Sequence, residues 1–273
     1  MRFGLYIAPF GELADLRALA DVGERAEAAG WEGVFLWDHV MTHEPIAVAD
    51  PWIALTAIAL ATERVSLGAM VTPLARRRPW DVARAVAMLD RLSSGRMVFG
   101  AGLGGDSRGE LTAFGEERDP RARAALLDEA LEVVLQLWSG EPVTRDGQAF
   151  PLRDAQVLPT PLQEPRPAVW VACVWPHRRP LRRAARYDGV FPVSHNKPLS
   201  GDDLRELLEV VAESRAAGAG PFDLVVVNNA RADPERLAEL ADAGTTWWLH
   251  GFGERPRLAD VRAAADAGPP QCT

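Results

Sequence analysis

Short apolar runs alternate with longer amphipathic stretches along the whole chain, and no other feature narrows the possible folds as much. Runs at 3–8, 34–37, 65–71 and 96–102, followed by AVWVACV, GVFPV, FDLVVVN and TTWWLH, read as eight strands. Eight helical patterns alternate with them: 13–29, DPWIALTAIALATE, PWDVARAVAMLDRL, 121–138, RPLRRAARY, DLRELLEVVAESRAAG, PERLAELADA and PRLADVRAAADA. Val82, Val86 and Leu89 recur at spacings of four and three, and Leu127, Leu131, Val134 and Trp138 form one stripe. That is the pattern of a helix packed by one face. Asp50 reads as an N-cap before Pro51, and Gly30 as a C-cap. Strands joined by helical crossovers make parallel sheets. Eight such units in 273 residues predict an α/β chain folded as a (β/α)8 TIM barrel, a single domain over 1–273. An excursion separates the fourth and fifth strands: a Gly-rich loop, the helix at 121–138 and a Pro-rich stretch at 140–167. The competing doubly wound sheet more often carries GxGxxG after its first strand, where this chain reads APFGELAD.

Charge and cysteine usage exclude some functions. A net charge of −8 argues against a nucleic-acid binder, which needs a basic face. A few arginines or backbone amides can still hold an anionic small molecule. Cys173 and Cys272 lie far apart and no CxxC occurs, which fits a cytoplasmic protein. The chain opens on a strand-like MRFGLYIAPF without the marks of a signal peptide. No apolar run approaches the roughly 20 residues of a membrane span, so no membrane partner is expected.

In a barrel the chemistry sits at the carboxyl ends of the strands. Asp38 and His39 follow the second apolar run directly, in GVFLWDHV. His43, His177, His195 and His250 also fall on that face by this reading, with Lys197, Asn228 and Asn229. His39 is a candidate acid/base, since an imidazole titrates near neutral pH. The alternative is a polar residue that closes the strand, bonded to Asp38 or to backbone. No close His/Cys pair or HExxH suggests a metal, and GxSxG is absent. In GAGLGGDSRGE the glycines allow close backbone approach to a phosphate or a flat ring, or make a flexible surface loop. ACVWPHRRP, with Arg178 and Arg179, reads equally as an anion site or a solvated basic turn.

The block RVSLGAMVTPLARRRPWDVARAVAMLDRLSSGRMVFGAGLGGD, with AEAAGWEGVFLWDHV, LDEALEVVLQLWSGEPV, RRAARYDGVFP and AGTTWWL, resembles the bacterial luciferase-like family of flavin- and deazaflavin-dependent oxidoreductases. The resemblance implies a barrel that binds coenzyme F-420 or FMN and acts on a small-molecule substrate, as a homodimer. It places His39 and Asp38 at the catalytic position. It places Met70 and Val71 at a third-strand bulge where some members have a non-proline cis peptide. Gly100, Gly102, Gly104, Gly105 and Asp106 match the loop beside the cofactor, and Ala172, Cys173, Val174 and Trp175 match a turn that often contacts its phosphate. His177, His195 and His250 read equally as substrate contacts or as ordinary loop residues. Two departures stand out. The turn after the fifth strand, commonly Gly-rich in the family, reads Cys173-Val174-Trp175, and Gly105 stands where some deazaflavin enzymes have a glutamate, with Asp106 next to it. The implied chemistry is hydride transfer with F-420, or monooxygenation with FMN and O₂; a catalytically silent partner subunit of the same fold is a third possibility.

Overall fold

The computed structural model describes residues 1–194, 197–229 and 233–270. The eight expected barrel positions are filled by β1 (Arg2–Ile7), β2 (Gly33–Leu36), β3 (Ser66–Ala69) with its continuation β4 (Thr72–Pro73), β5 (Val98–Gly102), β8 (Ala168–Val174), β9 (Gly189–Val193), β10 (Asp223–Asn228) and β11 (Trp247–Gly251). Every neighbouring pair is parallel, in the order β3-β2-β1-β11-β10-β9-β8-β5-β4. The ring closes because the third position pairs on both sides. β3 lies on β2, β4 lies on β5, and a bridge joins Leu67 to Met97.

The strands read as apolar runs because both faces are buried. Leu5, Leu36, Leu67, Phe99 and Val171 point outward into the layer shared with the helices. Phe35, Met70, Val98, Trp170, Phe191, Val225, Trp247 and Leu249 point inward and fill the lumen. Phe35, Trp170 and Trp247 form a triangle with ring centroids 5.4–5.6 Å apart, so the lower barrel is a packed aromatic core.

Helices α1 (Leu16–Ala28), α2 (Pro51–Ala61), α3 (Pro79–Leu92), α5 (Pro120–Leu137), α6 (Arg178–Ala184), α7 (Gly201–Ala212), α8 (Pro234–Asp242) and α9 (Leu258–Ala267) match the eight expected patterns. Asp50 caps α2 as expected, accepting from Trp52 and Ile53 N–H. The first helix starts later than expected, because Asp15 caps it and a 3-10 turn (Gly11–Ala14) occupies its predicted first turn. The third strand is interrupted at Met70–Val71 rather than continuous. The Pro-rich stretch holds an unexpected antiparallel hairpin, β6 (Val143–Arg145) and β7 (Leu152–Ala155). A further short helix, α4 (Glu110–Phe114), follows the Gly-rich loop. The end of the excursion is clamped to α3 by the buried Asp90, whose carboxylate accepts from Leu162 N (2.7 Å), Gln163 N (2.9 Å) and Gln163 Nε2 (2.6 Å). Among the described residues no helix is long and apolar enough to cross a membrane.

Candidate active site

The end of β2 delivers Asp38 and His39 to different neighbours. Asp38 is buried, and its carboxylate accepts from Arg77 Nη2 (2.7 and 2.8 Å) and Arg76 Nη2 (3.2 Å). Arg76 ends the 3-10 turn Leu74–Arg76 that follows β4, so the turn is tied to the end of β2. The partner of His39 is Glu110, the first residue of α4, not Asp38. Glu110 Oε2 lies 2.7 Å from His39 Nδ1, its Oε1 accepts from Val40 N, and Arg76 Nη1 lies 3.2 Å away. Burial pushes the Glu110 carboxyl up, but the bonds from His39 and Val40 and the charge of Arg76 outweigh it and hold the group down at about 2.

The partners of His39 fix its tautomer. Arg108 Nη1 lies 3.4 Å from Nε2 and can only donate. Nε2 therefore carries the lone pair, and Nδ1–H donates to the Glu110 carboxylate. The ring packs against both Phe10 and Trp37, with centroids 5.9 and 5.8 Å away. Arg108 lies over Trp37 at 5.4 Å and bonds Glu254.

Beside this cluster, the interrupted third strand contains a cis Met70–Val71 peptide, where the resemblance placed one. Tyr6 OH donates to Met70 O (2.8 Å) from inside the lumen. Burial drives the Tyr6 phenol well above its ordinary range, against the nearby charge of Arg108, so it stays a neutral donor. Val71, Ala172, Val193 and Val227 make an apolar rim. Trp37, which packs on Tyr6, Phe10 and His39, has its Nε1 buried without a hydrogen-bond partner among the described residues.

The other expected site residues divide. Gly100 and Gly102 press on the interruption: a Cβ at Gly100 would lie 2.3 Å from Ala69 O, and one at Gly102 2.3 Å from Val71 Cγ2. Gly104 has φ +69, whereas a Cβ at Gly105 would meet nothing within 4 Å. Asp106 does not face the cluster. Its oxygens accept from Leu111 N (2.7 Å), Thr112 N (3.1 Å) and Thr112 Oγ1 (2.5 Å), which anchors α4. Cys173 points outward into the helix-side core, and burial pushes its thiol up to about 12. Val174 ends β8, and its carbonyl accepts from His177 N (3.0 Å), while Trp175 N donates to Val193 O (3.0 Å). The Trp175–Pro176 peptide is cis, and Trp175 Nε1 bonds Asp203 (3.2 Å). His177 is the exposed N-cap residue of α6. His250 is turned away from the lumen and lies among Trp248, Phe252 and Trp31 on the helix side. His43 is exposed and Lys197 lies 3.6 Å from Asp203, so neither joins His39. His195 lies outside the described residues.

Sequence reasoning missed Glu110, Arg76, Arg77, Arg108 and Glu254 as site residues. A weak signal existed for two of them. Arg76 and Arg77 lie in the loop that follows the third strand, at the end of a barrel where polar residues gather.

Comparison with known proteins agrees with this architecture. A family model described as luciferase-like monooxygenase matches residues 1–267. The chain is 34% identical over 265 residues to an F-420-dependent glucose-6-phosphate dehydrogenase of Beutenbergia cavernae, covering 91% of this chain and 75% of that protein. It is 32% identical over 239 residues to the phthiodiolone/phenolphthiodiolone dimycocerosates ketoreductase of Mycobacterium kansasii, covering 81% of this chain and 63% of that one. Among solved structures, an F-420-dependent secondary alcohol dehydrogenase superimposes with a TM-score of 0.77 at 18% identity, covering 96% of each chain. A monooxygenase from Streptomyces bottropensis gives 0.75 at 19% identity, covering 97% of this chain and 96% of the other. At such identities the solved structures speak to the fold.

Proposed function

The chain belongs to the luciferase-like monooxygenase family, and from that premise we propose that it is an oxidoreductase that moves a hydride between coenzyme F-420 and a small organic substrate. The observation that carries the reading is the placement of His39, with the buried Glu110 carboxylate 2.7 Å from Nδ1 and Nε2 on the side of Arg108. In the oxidising direction Nε2 takes the proton of a substrate hydroxyl, and Glu110 then stabilises the imidazolium. In the reducing direction the same nitrogen returns it. Asp38 acts through Arg76 and Arg77 as a positioning residue.

The residues at the mouth fit a flat, polar-edged ring. The rim is apolar, Gly105 has open space around it, and Trp37 offers an unused buried N–H. Met70, Val71, Gly104 and Gly105 would hold such a ring. The turn after β8 fits a phosphate less well, because the N–H groups of Trp175 and His177 are already bonded. Bound F-420 supplies a hydride carrier that does not readily activate O₂. We also propose a cytoplasmic homodimer. The apolar α2 leaves Ile53 and Leu60 exposed, and α3 adds Met88 and Leu92; a sedimentation mass of one chain removes the dimer.

Titration with F-420 and with FMN, followed by absorbance, tests the reading. F-420 binding with turnover of an alcohol or carbonyl panel supports it. FMN binding with O₂ consumption moves it to a monooxygenase, and no binding of either leaves a silent member of the fold. The variant His39→Ala is expected to bind cofactor as wild type does and to lose roughly 10²–10⁴-fold in turnover.

A further inference from the structure

Arg108 and Glu254 form an ion pair with two unequal halves. The Arg108 side chain is 9% exposed, whereas that of Glu254 is 68% exposed. Arg108 sits in the loop between β5 and α4, and Glu254 in the loop between β11 and α9. A buried guanidinium needs an anion beside it, because a lone buried charge is costly. An exposed carboxylate gains little from the same contact and exchanges readily. The cation is therefore the fixed member and the anion the replaceable one. Its position is specific. The guanidinium is stacked on Trp37, and Nη1 covers the lone pair of His39 Nε2.

We propose that Arg108 selects the substrate: it receives a carboxylate or phosphate carried close to the reacting carbon, and Glu254 holds that place until the substrate arrives. Pairing with the incoming anion draws the guanidinium off Nε2 and opens that nitrogen to the substrate hydroxyl. The substrate class is then a small hydroxy or oxo compound bearing an anionic group. This rests on the oxidoreductase reading for the reaction, but the anion site can be tested apart from it.

Calorimetry of the full chain with oxalate and with inorganic phosphate provides that separate test. Binding by wild type, roughly 10–100-fold weaker binding by Arg108→Met, and tighter binding by Glu254→Gln are expected. With F-420 bound, matched alcohols with and without a carboxylate are compared. The preference for the charged alcohol, read as a ratio of kcat/KM values, is expected to fall by a similar factor in Arg108→Met and to rise in Glu254→Gln. An unchanged ratio in both variants overturns the proposal. So does a loss of F-420 affinity in Arg108→Met, which would give the guanidinium to an anion of the cofactor. If oxalate binding follows Arg108 and Glu254 while neither cofactor binds, the anion site stands and the oxidoreductase reading falls.

Discussion

Gly100 and Gly105 lie five residues apart in one Gly-rich run, yet a methyl group added to each would meet opposite surroundings. At Gly100 it would strike the Ala69 carbonyl and Met70 Sδ; at Gly105 it would enter open space. The two carboxylates that follow divide in the same way. Asp106 spends its oxygens on the start of α4, while Glu110 is buried against His39 and Arg76. One half of each pair builds the barrel wall or its loop, and the other half faces open space or contacts His39. A Gly-rich stretch beside a site is thus two devices in sequence: close packing first, then room.

Substitutions along the run can break or sharpen this division. The largest effect is expected for Gly100→Ala. The clash is with backbone on a packed strand, so about 3 kcal/mol or more should be lost in urea unfolding. A wild-type midpoint would break the comparison.

Glu110→Gln comes next, at about 1.5–3 kcal/mol, because a charge-assisted contact to His39 and Arg76 becomes a neutral one. Its pH signature follows from the lowered carboxyl. Glu110 falls from 4.5 to about 2 in the folded chain. Its stabilisation is complete above the unfolded value and fades as pH drops towards the folded one. Wild type should lose stability across that acid window, and Glu110→Gln should lose less. A thermal melting series from pH 5 to about pH 2 reads this difference.

The smallest stability change is expected for Gly105→Ala, within about 0.5 kcal/mol. Its effect should appear instead as weaker cofactor binding in an absorbance titration. Unaltered affinity would show that the open space is not ligand space.

The barrel was legible because parallel strands covered on both faces leave plain apolar runs. The hairpin was not. β6 and β7 are three and four residues long, carry exposed polar side chains and pair only with each other. Facing was also hidden. Trp247 and Trp248 are both buried, one in the lumen and one outside it, so nothing in TTWWLH says that His250 points to the helices. His39 could be placed because a strand end fixes it. Glu110 could not, because its burial is made by residues that arrive from β2 and from the turn after β4, a tertiary event with no local pattern.

The Asp90 clamp also has an evolutionary consequence. It fastens the end of the excursion to α3, away from the loop that carries Arg108 and Glu110. The hairpin lies between α5 and the clamp, and Glu129 of α5 accepts from Ala149 N and Phe150 N in its connecting turn. The hairpin's exposed strands are the expected place for length to be gained or lost by descent or by engineering, for instance as a grafting point for a fused domain, with unchanged turnover as the check.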